Sequence, residues 1–598
     1  MDRSQIKKLV VFTASNALFL TTISFFATQY LADKANYHAS LGENFYGLYA
    51  PFSWIIWAFN FWNIDQKLFM TISCVVILLS SIFLLITKFA IYGGRLKKGI
   101  KDLHGSAAWA TRKEIVDYGL INDKPREERE GVYIGAWNDR GKTSYLRNDG
   151  PEHVLVYAPT GSGKGVGLVL PTLLSWKESA VILDIKGENF ALSGGWRKKY
   201  AKNKVLKFDP SAVDGSSVKF NPLEEIRLET DHEVSDVQNI VNMIVDPDGK
   251  GLNDHWSKTG SALLVGTVLH VMYTKKEKGE TATLQSVAAA LSDPSRSVEE
   301  FFNEMLATNH VDGEVHPVVA ESARDMLNKA ENERSGVLST AMSFLILYRD
   351  PIVAKNTSCS EFKIRDLMNH KNPVSLFLVV RPSDKDRLKP LIRLIINQIV
   401  RILCEKMDFK DGSSVKHYKH RLLLLIDEFP SLGKLEIFEE SLAFIRGFGI
   451  KAYLITQDLS QLYKHYSKDE SIMSNCHIRI AYAPNKIETA KLLSQMTGES
   501  TIIKKVVNKT SSKGIFSSPS YSESYQEVKR PLLTPDECMT LKGAKKDKDG
   551  KIVESGDMLI FVAGQKPIKG KQILYFKDPV LMRRAQIKPP AKSDKISA

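Results

Sequence analysis

A glycine-rich loop lies between two apolar segments within residues 153–174, which read HVLVYAPTGSGKGVGLVLPTLL. The run VLVY before the loop has the composition of a buried strand, and the apolar residues after the loop are compatible with a helix. Gly161 and Gly163 allow backbone N–H groups to close around an anion, and Lys164 can reach the outer oxygens of a phosphate chain. The stretch therefore predicts a P-loop that binds a nucleoside triphosphate.

The loop departs at two positions from the pattern G-x-x-x-x-G-K-[ST]. Its predicted phosphate-binding residues are Ala158, Pro159, Thr160, Gly161, Ser162, Gly163, Lys164 and Gly165. Ala158 replaces the first glycine, which is tolerated where the backbone keeps a negative φ. Gly165 replaces the hydroxyl residue that usually contacts Mg²⁺, so magnesium must rely on other oxygens. A glycine-rich turn that binds nothing remains the alternative for this loop considered alone.

A second apolar strand ends in two carboxylates within residues 421–429, RLLLLIDEF. This is the pattern of a Walker B strand: Asp427 can hold Mg²⁺ directly or through water, and Glu428 can orient the attacking water. Another apolar strand, AYLITQ, ends at Gln457, whose amide can sense the γ-phosphate or position water. Together with the P-loop, these strands predict an α/β fold with a RecA-like nucleotide-binding domain.

Arg446 lies between these two strands in the segment AFIRGFGI, on a predicted helix that ends at the glycines. Oligomeric motors of this type place an arginine across the subunit boundary, where it neutralises charge on the neighbour's phosphate. A solvent-facing arginine near a helix end is the alternative.

A third buried strand, within residues 180–188, ends in the charged residues Asp184, Lys186 and Glu188. The carboxyl ends of strands in open α/β sheets face the ligand crevice, so we expect these side chains there. An exposed turn is the alternative.

Two uncharged stretches in the first 94 residues, 9–32 and 68–87, are long enough to cross a bilayer, and they predict transmembrane helices at about residues 9–32 and 68–92. Lys and Arg residues precede the first stretch and follow the second, whereas residues 29–66 of the loop between them contain one Lys and three acidic residues. The distribution predicts a two-pass anchor with a periplasmic loop and with both termini in the cytoplasm.

Composition and charge divide the rest of the chain. Residues 226–350 are rich in helix formers and carry 11 Lys and Arg against 20 Asp and Glu, although the whole chain has a net charge of +14. The predicted domains are a membrane anchor (1–94), a linker and start of the nucleotide-binding domain (95–150), that domain's first part (151–225), an all-α domain (226–350), its second part (351–582) and a basic, disordered tail (583–598).

Cysteine spacing gives no sign of a metal framework. The five cysteines form no CxxC pair, which indicates reduced residues in a reducing compartment.

Motifs along most of the chain resemble those of type IV secretion coupling proteins of the TraG/TraD group, within the FtsK/HerA class of motors. They are LHGSAAWAT, APTGSGKGVGLVLPTLL, LDIKGE, FDPS, FNPL, LLLLIDEFPSLG, RGFGIKAYLITQDLSQL, TAKLLSQMTG and RPLLTPDE. In that group Lys-Gly in place of Lys-Ser/Thr is usual, so Gly165 does not argue against nucleotide binding.

The resemblance implies a homo-hexameric ATPase of the bacterial inner membrane that uses ATP and Mg²⁺. It implies as partners the inner-membrane components of a type IV secretion channel, relaxase and relaxosome proteins, and single- or double-stranded DNA. By motif position, Lys164 would bind phosphate, Asp427 and Glu428 would serve Mg²⁺ and hydrolysis, Gln457 would sense the γ-phosphate, and Arg446 would act on the neighbouring subunit.

A different function remains open at this stage: a receptor for protein effectors of a type IV secretion system, with no DNA translocation. ATP turnover stimulated by single-stranded DNA, with a steep salt dependence, distinguishes the DNA-moving motor from this receptor. A chromosome-segregation translocase is disfavoured, because the C-terminal sequence has no three-helix pattern of a winged-helix domain.

Overall fold

The structure is a computed structural model that describes residues 3–92, 105–122, 130–139, 141–246, 249–407, 409–410, 413–510 and 520–597. The chain divides into two compact units. The first comprises Met1–Leu103 with Lys505–Glu527, and the second comprises His104–Lys504 with Val528–Ala598.

The first unit contains two long apolar helices. Its helices are α1 (Arg3–Lys34), α2 (Ser53–Phe61) and α3 (Gln66–Tyr92). Leu9–Lys34 and Gln66–Ile91 are long and apolar enough to cross a membrane. α1 and α3 pack together: the rings of Phe19 and Phe83 stack with centroids 4.0 Å apart, and Asn16 Nδ2 donates to Thr87 Oγ1 at 3.0 Å. They are therefore candidate membrane helices that associate through an aromatic pair and a polar pair.

The second unit is built around one large sheet. The strands of the chain, in sequence order, are β1 (Val132–Asp139), β2 (Lys142–Asn148), β3 (Val154–Tyr157), β4 (Ser179–Ile185), β5 (Lys204–Phe208), β6 (Val374–Val380), β7 (Phe409–Lys410), β8 (Ser413–Ser414), β9 (Leu422–Ile426), β10 (Ile450–Thr456), β11 (Ile478–Ala481), β12 (Glu499–Thr510), β13 (Ser520–Pro531), β14 (Lys545–Lys546), β15 (Ile552–Glu554), β16 (Asp557–Val562) and β17 (Ile568–Lys571).

The remaining helices cover the sheet or form the segment between β5 and β6. They are α4 (Arg112–Asp117), α5 (Leu170–Leu173), α6 (Glu188–Lys199), α7 (Glu233–Val245), α8 (His255–Glu277), α9 (Leu284–Leu291), α10 (Val298–Ala307), α11 (Pro317–Asn328), α12 (Glu331–Phe344), α13 (Pro351–Asn356), α14 (Asp366–Asn369), α15 (Lys385–Leu403), α16 (Glu436–Ser441), α17 (Leu459–Tyr466), α18 (Ile472–Asn475), α19 (Ile487–Thr497), α20 (Pro535–Met539) and α21 (Pro579–Ala585).

Eleven strands of the described residues form the main sheet, in the order β2-β1-β17-β16-β11-β3-β10-β9-β4-β6-β5. The seven strands from β11 to β5 are parallel, and the four at the other edge are antiparallel. Every residue of β3, β6, β9 and β10 is buried, which explains their largely apolar sequences, since parallel strands are covered on both faces. The predicted α/β fold class is confirmed.

The segment between β5 and β6 is helical, from α7 to α14. A buried polar network ties three of its elements together. His270 on α8 accepts at Nδ1 from His310 Nε2 at 2.9 Å, because His310 Nδ1 is occupied by the backbone N–H of His316. His316, before α11, contacts Glu233 of α7 at 3.1 Å, and the Tyr273 hydroxyl of α8 donates to the same carboxylate at 2.6 Å.

The C-terminal tail differs from its prediction. We expected residues 583–598 to be disordered, but residues 583–597 are placed against the edge strand β5 and its surroundings. The Asp594 carboxylate accepts the Val205 N–H at 2.9 Å and pairs with Lys198 at 2.6 Å, while Lys595 pairs with Glu361. The basic composition suggested a solvated tail, but an edge strand has unpaired backbone groups that the tail satisfies.

The histidine network predicts a loss of stability in acid. Burial, with smaller effects of His310, Arg296 and Lys278, lowers the pKa of His270 to about 3 from 6.5 in an unfolded chain. The unfolded state therefore takes up a proton that the folded state refuses as the pH falls from 6.5 towards 3. Proton uptake by His270 in the unfolded state therefore makes the free energy of unfolding about 1.4 kcal/mol lower at pH 5.5 than at pH 7.5.

We expect His270→Gln to reduce the difference in thermal unfolding temperature between pH 7.5 and 5.5, because glutamine does not titrate but can still accept from His310. The matched control is His232→Gln at an exposed position. An unchanged pH difference in His270→Gln would show that this histidine does not carry the effect.

Candidate nucleotide-binding site

The P-loop connects β3 to a short helix and is closed by backbone hydrogen bonds at both ends. The Ala158 N–H donates to Thr456 O of β10 at 2.9 Å, and the Gly167 N–H donates to Gly163 O at 2.9 Å. Gly161 and Gly163 have φ angles of +74° and +90°, a left-handed backbone that side chains with a Cβ disfavour. A π-helix, Gly165–Val169, then leads into α5. The sequence places glycine where the loop must turn.

Lys164 lies beside the first acid of the predicted Walker B strand. Its Nζ is 2.6 Å from Asp427 Oδ1, at an angle unsuited to a directed hydrogen bond, so the contact is ionic. The two side chains are 16% and 27% exposed. Lys164 follows β3 and Asp427 follows β9, with β10 between these strands, so the contact spans three parallel strands that end at the same edge.

Glu428 and Gln457 form a second pair at this edge. Gln457, directly after β10, donates its amide Nε2 to Glu428 Oε1, and Lys385 Nζ lies 3.8 Å from Glu428 Oε2. Glu428 itself has φ 56° and ψ 47°. A left-handed conformation at a non-glycine residue costs about 1–2 kcal/mol and persists only where the surroundings impose it. The turn after β9 therefore holds Glu428 in a fixed, strained position.

Arg446 lies at the amino ends of the parallel strands, whereas the P-loop lies at their carboxyl ends. It is exposed on a 3₁₀ turn, Ile445–Phe448, that precedes β10, whereas Gln457 follows β10. The predicted helix is thus a single short turn. The seven residues of β10 separate its two ends by about 20 Å. Arg446 therefore does not meet the P-loop of its own chain.

Asp184, expected in the ligand crevice, has a structural role instead. Its carboxylate accepts the backbone N–H groups of Asn189 at 3.2 Å and Phe190 at 2.8 Å, at the start of α6. The side chain is buried, and this burial raises its pKa to about 6 against the opposing effect of the two donors. The predicted strand is present as β4, but Asp184 near its end accepts N–H groups at the start of a helix.

The C-terminal part of the chain supplies residues at the P-loop that the motif analysis missed. Gln572 donates its Nε2 to Ser162 O at 2.9 Å and accepts the Gly556 N–H at its Oε1, 3.2 Å away. A Cβ at Gly163 would stand 2.6 Å from Ile552 Cδ1, and one at Gly161 would stand 2.9 Å from Lys546 Nζ. No motif marks these residues, because only the closing of the sheet brings them to the loop.

The site suits a nucleoside triphosphate with magnesium. The left-handed φ angles of Gly161 and Gly163 allow the backbone of the loop to close around an anion, and Lys164 supplies a positive charge beside it. Open space surrounds Gly165, and among the described residues no group of three His, Cys, Asp or Glu side chains is placed to hold a metal. The carboxylate of Asp427, beside Lys164 at the end of β9, is an oxygen donor of the kind that Mg²⁺ prefers, so the residues present fit this ion.

A strand, a glycine-rich loop with a lysine, and an acid pair on a parallel strand of the same sheet define a P-loop nucleotide-binding protein of the α/β class. The sequence model of the family described as "Type IV secretory system Conjugative DNA transfer" matches residues 97–598. The chain belongs to this family, as its motifs predicted.

Relatives support the same assignment. Conjugal transfer protein TraG of Escherichia coli is 52% identical over 586 residues, covering 95% of this chain and 92% of TraG. Protein VirD4 of Agrobacterium fabrum is 27% identical over 80% of this chain and 67% of VirD4. The solved structure of the plasmid coupling protein TrwB in complex with ADP and Mg²⁺ matches with a TM-score of 0.54 and 18% identity, covering 79% of this chain and 94% of TrwB, and so shares the fold.

We expect the same substitution to destabilise the protein at one glycine of the loop and to leave stability nearly unchanged at another. Gly163→Ser meets Ile552 and keeps a left-handed backbone, so we expect it to destabilise by about 2–4 kcal/mol. Gly165→Ser enters open space, so we expect stability within about 0.5 kcal/mol of wild type. Thermal unfolding of the two variants tests this, and an equal loss in both would contradict the loop geometry.

Proposed function

We propose that this chain is an inner-membrane ATPase that recruits a relaxase-bound DNA substrate and drives its transfer into a type IV secretion channel. The observation that carries the proposal is the meeting of Lys164 with Asp427 beside the Gln457–Glu428 pair. Membership of the conjugative transfer family and the complex of TrwB with ADP and Mg²⁺ support it.

The residues divide the chemistry as follows. The loop from Ala158 to Gly165 would bind the phosphates through its N–H groups, and Lys164 would neutralise the outer oxygens. Magnesium, when bound, shields charge on the phosphates, and Asp427 would hold it. Glu428 would orient the attacking water and accept its proton, while Gln457 keeps the Glu428 carboxylate in place and responds to the γ-phosphate.

The proposed assembly is a homo-hexamer in the inner membrane. Arg446 is exposed at the amino end of β10, away from the P-loop of its own chain. In this position it is available to contact the phosphate of a neighbouring subunit. The candidate membrane helices would hold the ring beside the channel components of the inner membrane.

The helical segment between β5 and β6 is proposed to receive protein cargo. Its acidic excess, 20 Asp and Glu against 11 Lys and Arg within residues 226–350, repels nucleic-acid phosphates and favours basic protein surfaces. A relaxase or another relaxosome protein, with its attached single strand, is the cargo that fits this charge. Duplex DNA bound directly by this segment would not fit it.

Replacing Glu428 separates binding from hydrolysis. We expect Glu428→Gln to bind ATP normally but to lose turnover by about 100- to 10,000-fold, because glutamine cannot accept the proton. Lys164→Ala should lose binding as well. ATP turnover and nucleotide affinity, each with and without single-stranded DNA, measure this.

The control for this experiment is Glu436→Gln, an exposed acid on α16. Substantial turnover in Glu428→Gln would refute its role, and turnover unaffected by single-stranded DNA would favour the effector-receptor function.

Replacing Arg446 tests action across the subunit boundary. We expect Arg446→Ala to bind ATP but not to hydrolyse it, while the exposed Arg324→Ala retains turnover. Mixing Arg446→Ala with Lys164→Ala subunits should restore activity, up to about a quarter of the sites in a randomly mixed ring. Full turnover by oligomeric Arg446→Ala alone, or no recovery on mixing, would contradict the assignment.

A further inference from the structure

A small lysine-bearing hairpin lies against the turn of the P-loop. β14 and β15 pair in antiparallel fashion, with Lys546 opposite Ile552. These two cross-strand partners face the left-handed glycines: a Cβ added at Gly161 would stand 2.9 Å from Lys546 Nζ, and one added at Gly163 would stand 2.6 Å from Ile552 Cδ1. One residue of the pair is apolar and packs, whereas the other brings a positive charge to the anion-binding loop.

The hairpin is held in this position from several sides. The Asp547 carboxylate accepts the N–H groups of Asp549 at 3.0 Å and Lys551 at 2.8 Å, which orders the turn between the two strands. At its base, Gln572 bridges the Gly556 N–H and the Ser162 carbonyl of the P-loop. Gln572 is buried, so these bonds are protected from water and fix the hairpin to the loop.

The charges around the loop leave a place for one more cation. Lys164 faces Asp427, and Lys385 faces Glu428, so each of these lysines stands beside a carboxylate. A nucleoside triphosphate with one Mg²⁺ still carries about two negative charges at neutral pH. A further lysine at the loop would offset part of this excess.

Lys546 differs in this respect from its neighbour in sequence. Lys545 pairs with Glu554 across the hairpin at 3.1 Å. The described part of the chain places no carboxylate in an ion pair with Lys546, although its ammonium reaches the loop. A lysine ammonium is a compact point charge with three donors, which suits phosphate oxygens.

We propose that Lys546 is a second phosphate-binding lysine of the nucleotide site, delivered by the β14–β15 hairpin to the phosphate tail of the bound nucleoside triphosphate. The proposal rests on the nucleotide-binding function and adds to it a contact from a segment outside the P-loop and Walker B motifs. Gln572 is then a positioning residue, because it joins the hairpin to the loop without contacting the nucleotide.

Equilibrium binding to the full-length protein in detergent tests the proposal. The probes are a fluorescent non-hydrolysable ATP analogue with Mg²⁺, and AMP as a competitor. We expect Lys546→Ala to weaken binding of the ATP analogue by about three- to tenfold, the loss typical of a charge-assisted hydrogen bond at a partly exposed site. AMP binding should change less than twofold, since AMP lacks the outer phosphates.

Two further variants separate a phosphate contact from a structural effect. Lys548→Ala removes one positive charge from the exposed turn of the same hairpin and should bind the ATP analogue within twofold of wild type. Lys546→Arg keeps the charge and should recover most of the affinity. Normal affinity in Lys546→Ala, or an equal loss for AMP and the ATP analogue, would overturn the proposal.

Lys164→Ala distinguishes a failure of the proposed Lys546 contact from a failure of the proposed nucleotide-binding function. If Lys164→Ala loses the ATP analogue while Lys546→Ala binds it normally, the Lys546 contact is rejected and the nucleotide site stands. If Lys164→Ala binds the analogue normally, the proposed function fails and the Lys546 contact is rejected with it.

Discussion

The ionic contact between Lys164 and Asp427 joins the P-loop to the Walker B strand, which are the two halves of the nucleotide site. The strand order of the sheet makes this contact possible. The lysine follows β3 and the acid follows β9, with the end of β10 between them. Neighbouring strands are about 4.8 Å apart, so a lysine side chain can reach across β10 because all three strands run parallel and end near one another. Tyr157 at the end of β3 lies opposite Thr456, and Ile426 at the end of β9 lies opposite Leu454, so the two ends differ by two residues along β10.

The nucleotide site depends on the backbone conformation around this contact as well as on the side chains that form it. Gly161, Gly163 and Glu428 all have left-handed φ angles, and the one residue with a side chain among them is the acid proposed to orient water. Such a conformation is retained where the surroundings enforce it. Gln457, after β10, holds the carboxylate of the strained Glu428, and Gln572, after β17, holds the loop carbonyl of Ser162, so an amide side chain supports each of the two segments.

The sequence predicts the parts of this site that are formed by contiguous motifs. It does not predict the parts that distant segments contribute when the C-terminal strands fold against the P-loop. The P-loop and the strand ending in Asp427 have a fixed order of apolar, glycine and charged residues, so both are visible in isolation. Lys546 and Gln572 have no such pattern, because their positions depend on antiparallel strands added at one edge of the sheet. The tail was misjudged for the same reason: its pairing with β5 depends on an exposed strand edge formed elsewhere in the chain.

A structure of the full-length protein bound to Mg²⁺ and a non-hydrolysable ATP analogue tests whether Lys164 and Asp427 belong to one nucleotide site. We expect the phosphates against the N–H groups of residues 161–165, with the Lys164 ammonium turned from Asp427 to a phosphate oxygen and Asp427 directed to the metal. A nucleotide bound elsewhere, with the Lys164–Asp427 contact unchanged, would contradict it.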